Sequence, residues 1–149
     1  MPLDDTTLLP PDSRLRMAME AIGDELDDIV EEVRYKLRQP LDENLDKVVY
    51  IEPGVSELVI ESIEGGQRSY LPFRVSLYGY INESDSRIGA DFIEEVITEL
   101  TSENAADNFR EAFASGDGFS IDSFENVTPN FGDNFFMFTM TISISMHLH

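Results

Sequence analysis

"DNFFMFTMTISISMHLH" occupies residues 133–149. From Phe136 to Leu148 every even position is apolar: Phe136, Phe138, Met140, Ile142, Ile144, Met146 and Leu148. The odd positions after Met137 are Thr139, Thr141, Ser143, Ser145, His147 and His149. A period of two is the signature of a β-strand with one buried face. At about 3.3 Å per residue this strand would run roughly 45 Å, far beyond the usual five or six residues. Its second face is polar yet uncharged, which is unusual in a chain where 27% of residues are charged. A strand face open to water would be expected to carry Lys or Glu. Small hydroxyls suit a face against which something packs closely. Two explanations stand level on spacing alone. One is a strand that overhangs its own sheet and pairs with a neighbouring subunit. The other is a strand bent by twist or a bulge and shared between two hairpins.

The hairpin signals lie upstream. KVVYI (47–51) reads as a strand, Pro53-Gly54 as a turn, and VSELVIESI (55–63) as a second strand. Gly65-Gly66 then supplies two central residues for a type I′ turn, where both φ angles are positive. The returning strand, 69–81, places Leu71, Phe73, Val75, Leu77 and Ile81 on one face and Tyr70, Arg74, Ser76, Tyr78 and Tyr80 on the other. Pro72 lacks an N–H, so its end of the strand is expected at a sheet edge or bulge.

Two amphipathic helices accompany the strands. Leu15, Met19, Ile22, Leu26, Ile29, Val33 and Leu37 recur every three or four residues, which predicts a helix from Ser13 to about Arg38, stopped before Pro40. Its outer face carries Asp24, Glu25, Asp27, Asp28, Glu31 and Glu32, and its last turn Arg34, Lys36 and Arg38. The turn NESDS (82–86) caps a second helix through Ile88, Phe92, Ile93, Val96, Ile97 and Leu100. A short third helix is predicted over 103–114, a strand over 119–127, and a loop over 128–134. Residues 1–12 read as an extended arm ahead of a single domain, 13–149. Strands in hairpins interleaved with helices predict an α+β fold, a largely antiparallel sheet with the two main helices on one face.

Charge limits the function classes. Ten Lys and Arg stand against 30 Asp and Glu, a net charge of −20 in 149 residues. Such a surface repels phosphates, so neither specific nucleic-acid binding nor attachment to an anionic membrane is expected. No apolar run approaches the 18 or so residues of a transmembrane helix. The acidic amino terminus lacks the basic region of a signal peptide, so export is not expected. With no cysteine there is no disulfide or thiolate chemistry.

The residues offer no catalytic constellation. His147 and His149 are the only histidines, on one side of a strand end, and nothing near in sequence supplies a third metal ligand. The clusters GDELDD (23–28) and DFIEE (91–95) lack the alternating pattern of a calcium loop and fall on solvated helix faces. "GDG" (116–118) and Gly65-Gly66 lack the lysine of a phosphate loop and read as turns. Neither enzymatic activity, metal nor cofactor is expected.

The segment LPFRVSLYGYINESDSRIGADFIEEVITEL (71–100) resembles part of the tail terminator, or tail-completion, proteins of tailed bacteriophages. The shared pattern is a strand ending at Gly79-Tyr80, an acidic turn at 82–86, an amphipathic helix at 88–100, a variable stretch and a long terminal strand. The resemblance implies a structural virion protein without catalysis. Its partners would be copies of itself in a ring (commonly a hexamer), the tail tube protein, and a neck or connector protein. It would be made in the bacterial host cytoplasm and end in the virion tail or neck. DNA would pass through the lumen, where negative walls keep the duplex from adhering. Subunits this acidic repel one another, so their contacts are expected to be uncharged: Tyr70, Tyr78, Tyr80, Thr139, Thr141, Ser143 and Ser145 are the candidates. Two other readings remain open. One is an acidic DNA mimic that inhibits a nucleic-acid-binding partner; the other is a different head-tail joint or a baseplate component.

Overall fold

A computed structural model describes residues 14–35, 46–54, 70–82, 85–113, 118–132 and 134–147. The terminal strand organises it. Named in chain order, the elements are α1 (Arg14–Leu26), β1 (Glu32–Arg34), β2 (Lys47–Pro53), β3 (Tyr70–Ile81), α2 (Ser86–Leu100), α3 (Glu103–Arg110), β4 (Phe119–Phe131) and β5 (Phe136–His147). The even residues of β5 from Phe136 to Met146 are at most 2% exposed, as the alternation requires.

Both edges of β5 are filled. β3 pairs antiparallel with it over all twelve residues, from Tyr70 opposite His147 to Ile81 opposite Phe136. β4 lies antiparallel on its other side, from Phe119 opposite Met146 to Phe131 opposite Phe136. The strand therefore neither overhangs its sheet nor divides between two hairpins. It is an interior strand with a long partner on each side. β2 pairs antiparallel with β3, and β1 parallel with β2, giving the order β1-β2-β3-β5-β4. Among the described residues the sheet edges are β1 and β4. The pairing with β2 ends at Pro53 opposite Val75, so Pro72 lies in the part of β3 that β2 does not reach. Among the described residues no strand pairs with Pro72 on that side, which suits a residue that cannot donate a ladder bond.

The three helices share one core with the even face of β5. Ala18, Met19, Ile22 and Leu26 of α1, Phe92, Val96 and Leu100 of α2, and Ala105 and Phe109 of α3 are buried there with Val49, Ile51, Val75 and Leu77. The Phe92 and Phe138 rings meet edge to face at 5.3 Å, and Phe109 stacks on Phe119 at 4.7 Å. The fold is α+β, as expected; the described residues include a third helix and a mostly antiparallel sheet of five strands.

Four boundaries differ from the sequence expectation. The first helix ends at Leu26 rather than near Arg38, and Glu32–Arg34 form an edge strand instead. Asp24, Glu25, Asp27 and Asp28 crowd carboxylates at the negative end of the helix dipole, where cations would be favoured. Gly23 weakens the helix just before them, and the Tyr35 hydroxyl lies against it, where a Cβ would stand. After the turn, Ile29 and Val33 still pack on the core, so the apolar spacing continues although the helix has stopped. Leu37, Lys36 and Arg38 lie outside the described residues.

β2 continues through Glu52 and Pro53, so Pro53 ends a strand rather than opening a turn; Gly54 then donates to the Arg74 carbonyl at 2.8 Å. β4 runs to Phe131, through half of the expected 128–134 loop. Register shifts between Ile121 and Ser123 and between Glu125 and Thr128, with Asn126 at φ 54°, absorb the extra residues and return Thr128–Phe131 to pairing. The third helix is shorter than 103–114. It starts where the Ser102 hydroxyl accepts the Ala105 N–H at 3.1 Å and ends at Arg110. Residues 1–12, the 55–63 strand and the Gly65-Gly66 turn lie outside the described residues.

Candidate functional site

The face of the sheet turned away from the helices collects the candidate residues. Strand parity and register put Tyr78 opposite Thr139 and Tyr80 opposite Met137, with Thr141 facing Ser76 and Ser143 facing Arg74. On the other flank, Ser120 faces Ser145, Ser123 faces Ser143, Glu125 faces Thr141 and Thr128 faces Thr139. Thr139, Thr141, Ser143 and Ser145 are half-buried. Tyr70 takes its place in the register opposite His147.

The hydroxyl stripe has an internal reason. Arg74 on β3 and Glu125 on β4 are separated by β5, a span of about 9.6 Å between strand axes at the usual spacing. Their side chains nevertheless approach to 3.9 Å. They meet over Thr141 and Ser143, where a long side chain would block them. Ser123 donates to Glu125 Oε2 at 2.8 Å and Ser145 to Asp122 Oδ2 at 2.5 Å, so the β4 carboxylates are tied down beside the stripe. Together Arg74, Ser76, Glu125, Asn126 and Thr141 line an open trough of about 410 Å³.

The tyrosines differ from one another. Tyr78 is half-buried and donates to Glu52 Oε1 at 3.2 Å. Burial, then the charge and hydrogen bond of Glu52, push its phenol above the usual tyrosine range. Tyr80 is only 3% exposed, with its ring 5.7 Å from that of Phe135. It contributes to the fold of a single chain and offers little surface to a partner.

The helical layer is of opposite character. Asp24, Asp27, Asp28, Asp91, Glu94, Glu103 and Asp107 are exposed there. Burial and its acidic neighbours Glu20, Asp27 and Glu25 raise the Asp24 carboxyl above the ordinary value. Cations on this side are already engaged: Arg16 with Glu20 at 2.9 Å, Lys47 with Glu95 at 3.0 Å and Arg110 with Asp107 at 2.6 Å. Among the described residues no three His, Asp or Glu side chains gather as a metal ion would require.

No protein-family model matches the sequence, and no curated protein matches it. A solved structure does share the fold. It superposes with a TM-score of 0.51, covering 91% of this chain and 96% of its own, at 12% identity. At that identity the likeness is one of architecture.

Two features were not legible in the sequence. Glu25, expected on a solvated face, is 8% exposed and accepts a hydrogen bond from the Asn108 amide of α3. The second is an apolar hollow of about 320 Å³ where α3 meets the start of β4. Beside it, Gly118 lies directly against the backbone of Phe109 and Arg110, where a Cβ would have no room. Both join residues distant in sequence, so no local pattern announces them. Among the described residues no helix is long and apolar enough to cross a membrane.

Proposed function

We propose that the chain is a structural subunit of a bacteriophage tail, a terminator that forms a ring on the end of the tail tube and joins it to the neck or connector. The observation that carries this reading is the distribution of charge over the fold. A molecule at −20 keeps the central stripe of one sheet face in small hydroxyls, with Glu125 paired to Arg74 beside it, while Asp24, Asp91, Glu94, Glu103 and Asp107 stand exposed on the helices. Like-charged copies can approach only where charge is sparse or paired, since unscreened carboxylates repel across any other contact. An acidic outer layer in turn suits a conduit through which DNA slides without binding. The resemblance of residues 71–100 to tail terminators points the same way, and the fold supplies a rigid sheet on which to display such a face.

The test has two arms. Light scattering after size exclusion, at low and high salt, is expected to find a closed species of six copies of the 16.9 kDa chain, roughly 100 kDa. Added to a polymerising tail tube protein, the chain is expected to arrest elongation and cap one end of each tube in electron micrographs. Tubes that elongate unchanged and carry no cap refute the terminator reading.

The exposed carboxylates of α1 and α2 favour one alternative, a DNA mimic. It predicts a monomer or dimer that displaces duplex DNA from a basic protein, and a stable ring without such displacement excludes it.

A further inference from the structure

The described residues include three exposed large apolar side chains, Ile88, Val127 and Phe131, and Phe131 is the most open of them at 53%. Phe131 ends β4, with its ring 4.9 Å from that of Phe136. Ile88 precedes Gly89, where an added Cβ would stand 2.6 Å from the same Phe136 ring. One corner of the molecule thus displays an exposed phenyl on a firm aromatic base. From Asn126 to Phe131 the strand carries no charge.

The other end of β4 carries the complementary shape. Leu100, Ala106, Phe109, Phe119 and Ile121 wall the hollow of about 320 Å³, and Arg110 is at its rim. An apolar cavity of about 150 Å³ already holds benzene, so this one accommodates a benzyl side chain. The guanidinium of Arg110, held by Asp107 at 2.6 Å, could cover the face of an inserted ring. Knob and hollow stand at opposite ends of one extended strand of 13 residues, roughly 35–40 Å apart. Phe131 therefore cannot fill the hollow of its own chain.

We infer that Phe131 of one copy inserts into the α3–β4 hollow of a second copy. Such a contact joins two different surfaces, head to tail, and so generates rings when the rotation closes. It brings opposite ends of β4 together, and among the described residues β4 is the outer strand on that side of the sheet. The inference deepens the ring reading and takes from it only the closure of the array.

The experiment is sedimentation velocity of the full chain in about 1 M NaCl, where the Debye length falls to about 3 Å and subunit repulsion is screened. Two variants divide the contact: Phe131→Ser removes the knob, and Ala106→Trp plugs the hollow. Both positions are exposed, and circular dichroism checks that each variant folds. Wild type is expected to assemble, and each variant alone to shift its association midpoint at least about tenfold. An equimolar mixture is then expected to form dimers and stop there, because the Trp variant's knob fits the Ser variant's hollow and no second contact remains. Assembly of either variant at the wild-type midpoint overturns the inference and leaves the ring reading standing. A mixture that stays monomeric while wild type assembles also overturns it. So does a wild type that remains monomeric up to about 1 mM, where even a weak contact is half-occupied; the tube-capping assay then judges the ring reading separately.

Discussion

Gly79 is the position where the packing makes its sharpest demand. It faces Phe138 across the β3–β5 ladder, and the phenyl lies over it. A Cβ added there would meet Phe138 Cε1, with Cζ at 2.5 Å and Cδ1 at 2.8 Å. Ordinary carbon contacts need about 3.5–4.0 Å, so the ring must retreat by about 1 Å or more. It has nowhere to go: Phe138 is fully buried, edge-on to Phe92 at 5.3 Å and 6.4 Å from Phe136. Overpacking of this kind costs about 1–3 kcal/mol. Against it, alanine lowers the entropy of the unfolded chain and returns about 0.4–1 kcal/mol. The net expectation for Gly79→Ala is a loss of about 1–2 kcal/mol. With a urea m-value of about 2 kcal/mol/M, the unfolding midpoint falls by about 0.5–1 M at unchanged slope. Far-UV circular dichroism measures it. Phe138→Leu should cost stability by itself yet make Gly79→Ala nearly neutral in its background, a coupling that a double-mutant cycle isolates. A Gly79→Ala midpoint equal to or above wild type would refute the argument.

Other perturbations test separate parts of the structure. Asn108→Ala removes a hydrogen-bond donor from buried Glu25 and is expected to cost about 1.5–3 kcal/mol by urea denaturation, whereas Asn108→Asp should do worse by adding a second negative charge. Tyr35 is buried beside Asp24, Glu20 and Asp27, and burial first, then those charges, raises its phenol far above the usual value. Because the folded state holds that proton more tightly, the stability it contributes is complete below about pH 10, the value in the unfolded chain, and is lost as pH rises beyond it. Alkaline titration of the melting temperature should therefore decline above pH 10 and flatten in Tyr35→Phe. Thr141→Lys puts a long side chain under the half-exposed Arg74–Glu125 pair; the expected stability change stays within about 1 kcal/mol, while nuclear magnetic resonance should register the Glu125 carboxylate moving from Arg74 toward the new ammonium.

The alternation of Phe136–His147 determined by itself that this segment is a long strand with one apolar face, and helical spacing did the same for Ile88–Leu100. Both patterns are local: a strand or helix repeats within a few residues, and burial of one face selects that repeat in any surroundings. The same spacing misled at α1, because an apolar residue every three or four positions also results when a turn carries Ile29 and Val33 back to the same core. The carboxylates of 24–28 were the available warning, and they require weighing repulsion at a helix end against a regular apolar stripe. What flanks β5 was not legible. A strand's side chains record which faces are buried, whereas its neighbours are chosen by backbone hydrogen bonds that every residue but proline can make. Only the assembled sheet placed β5 between β3 and β4, filled the edges that looked free for a partner, and left β4 as the outer strand among the described residues. The Glu25–Asn108 contact, the hollow above Phe119 and the corner at Phe131 likewise depend on distances between residues far apart in the chain, which tertiary packing alone decides.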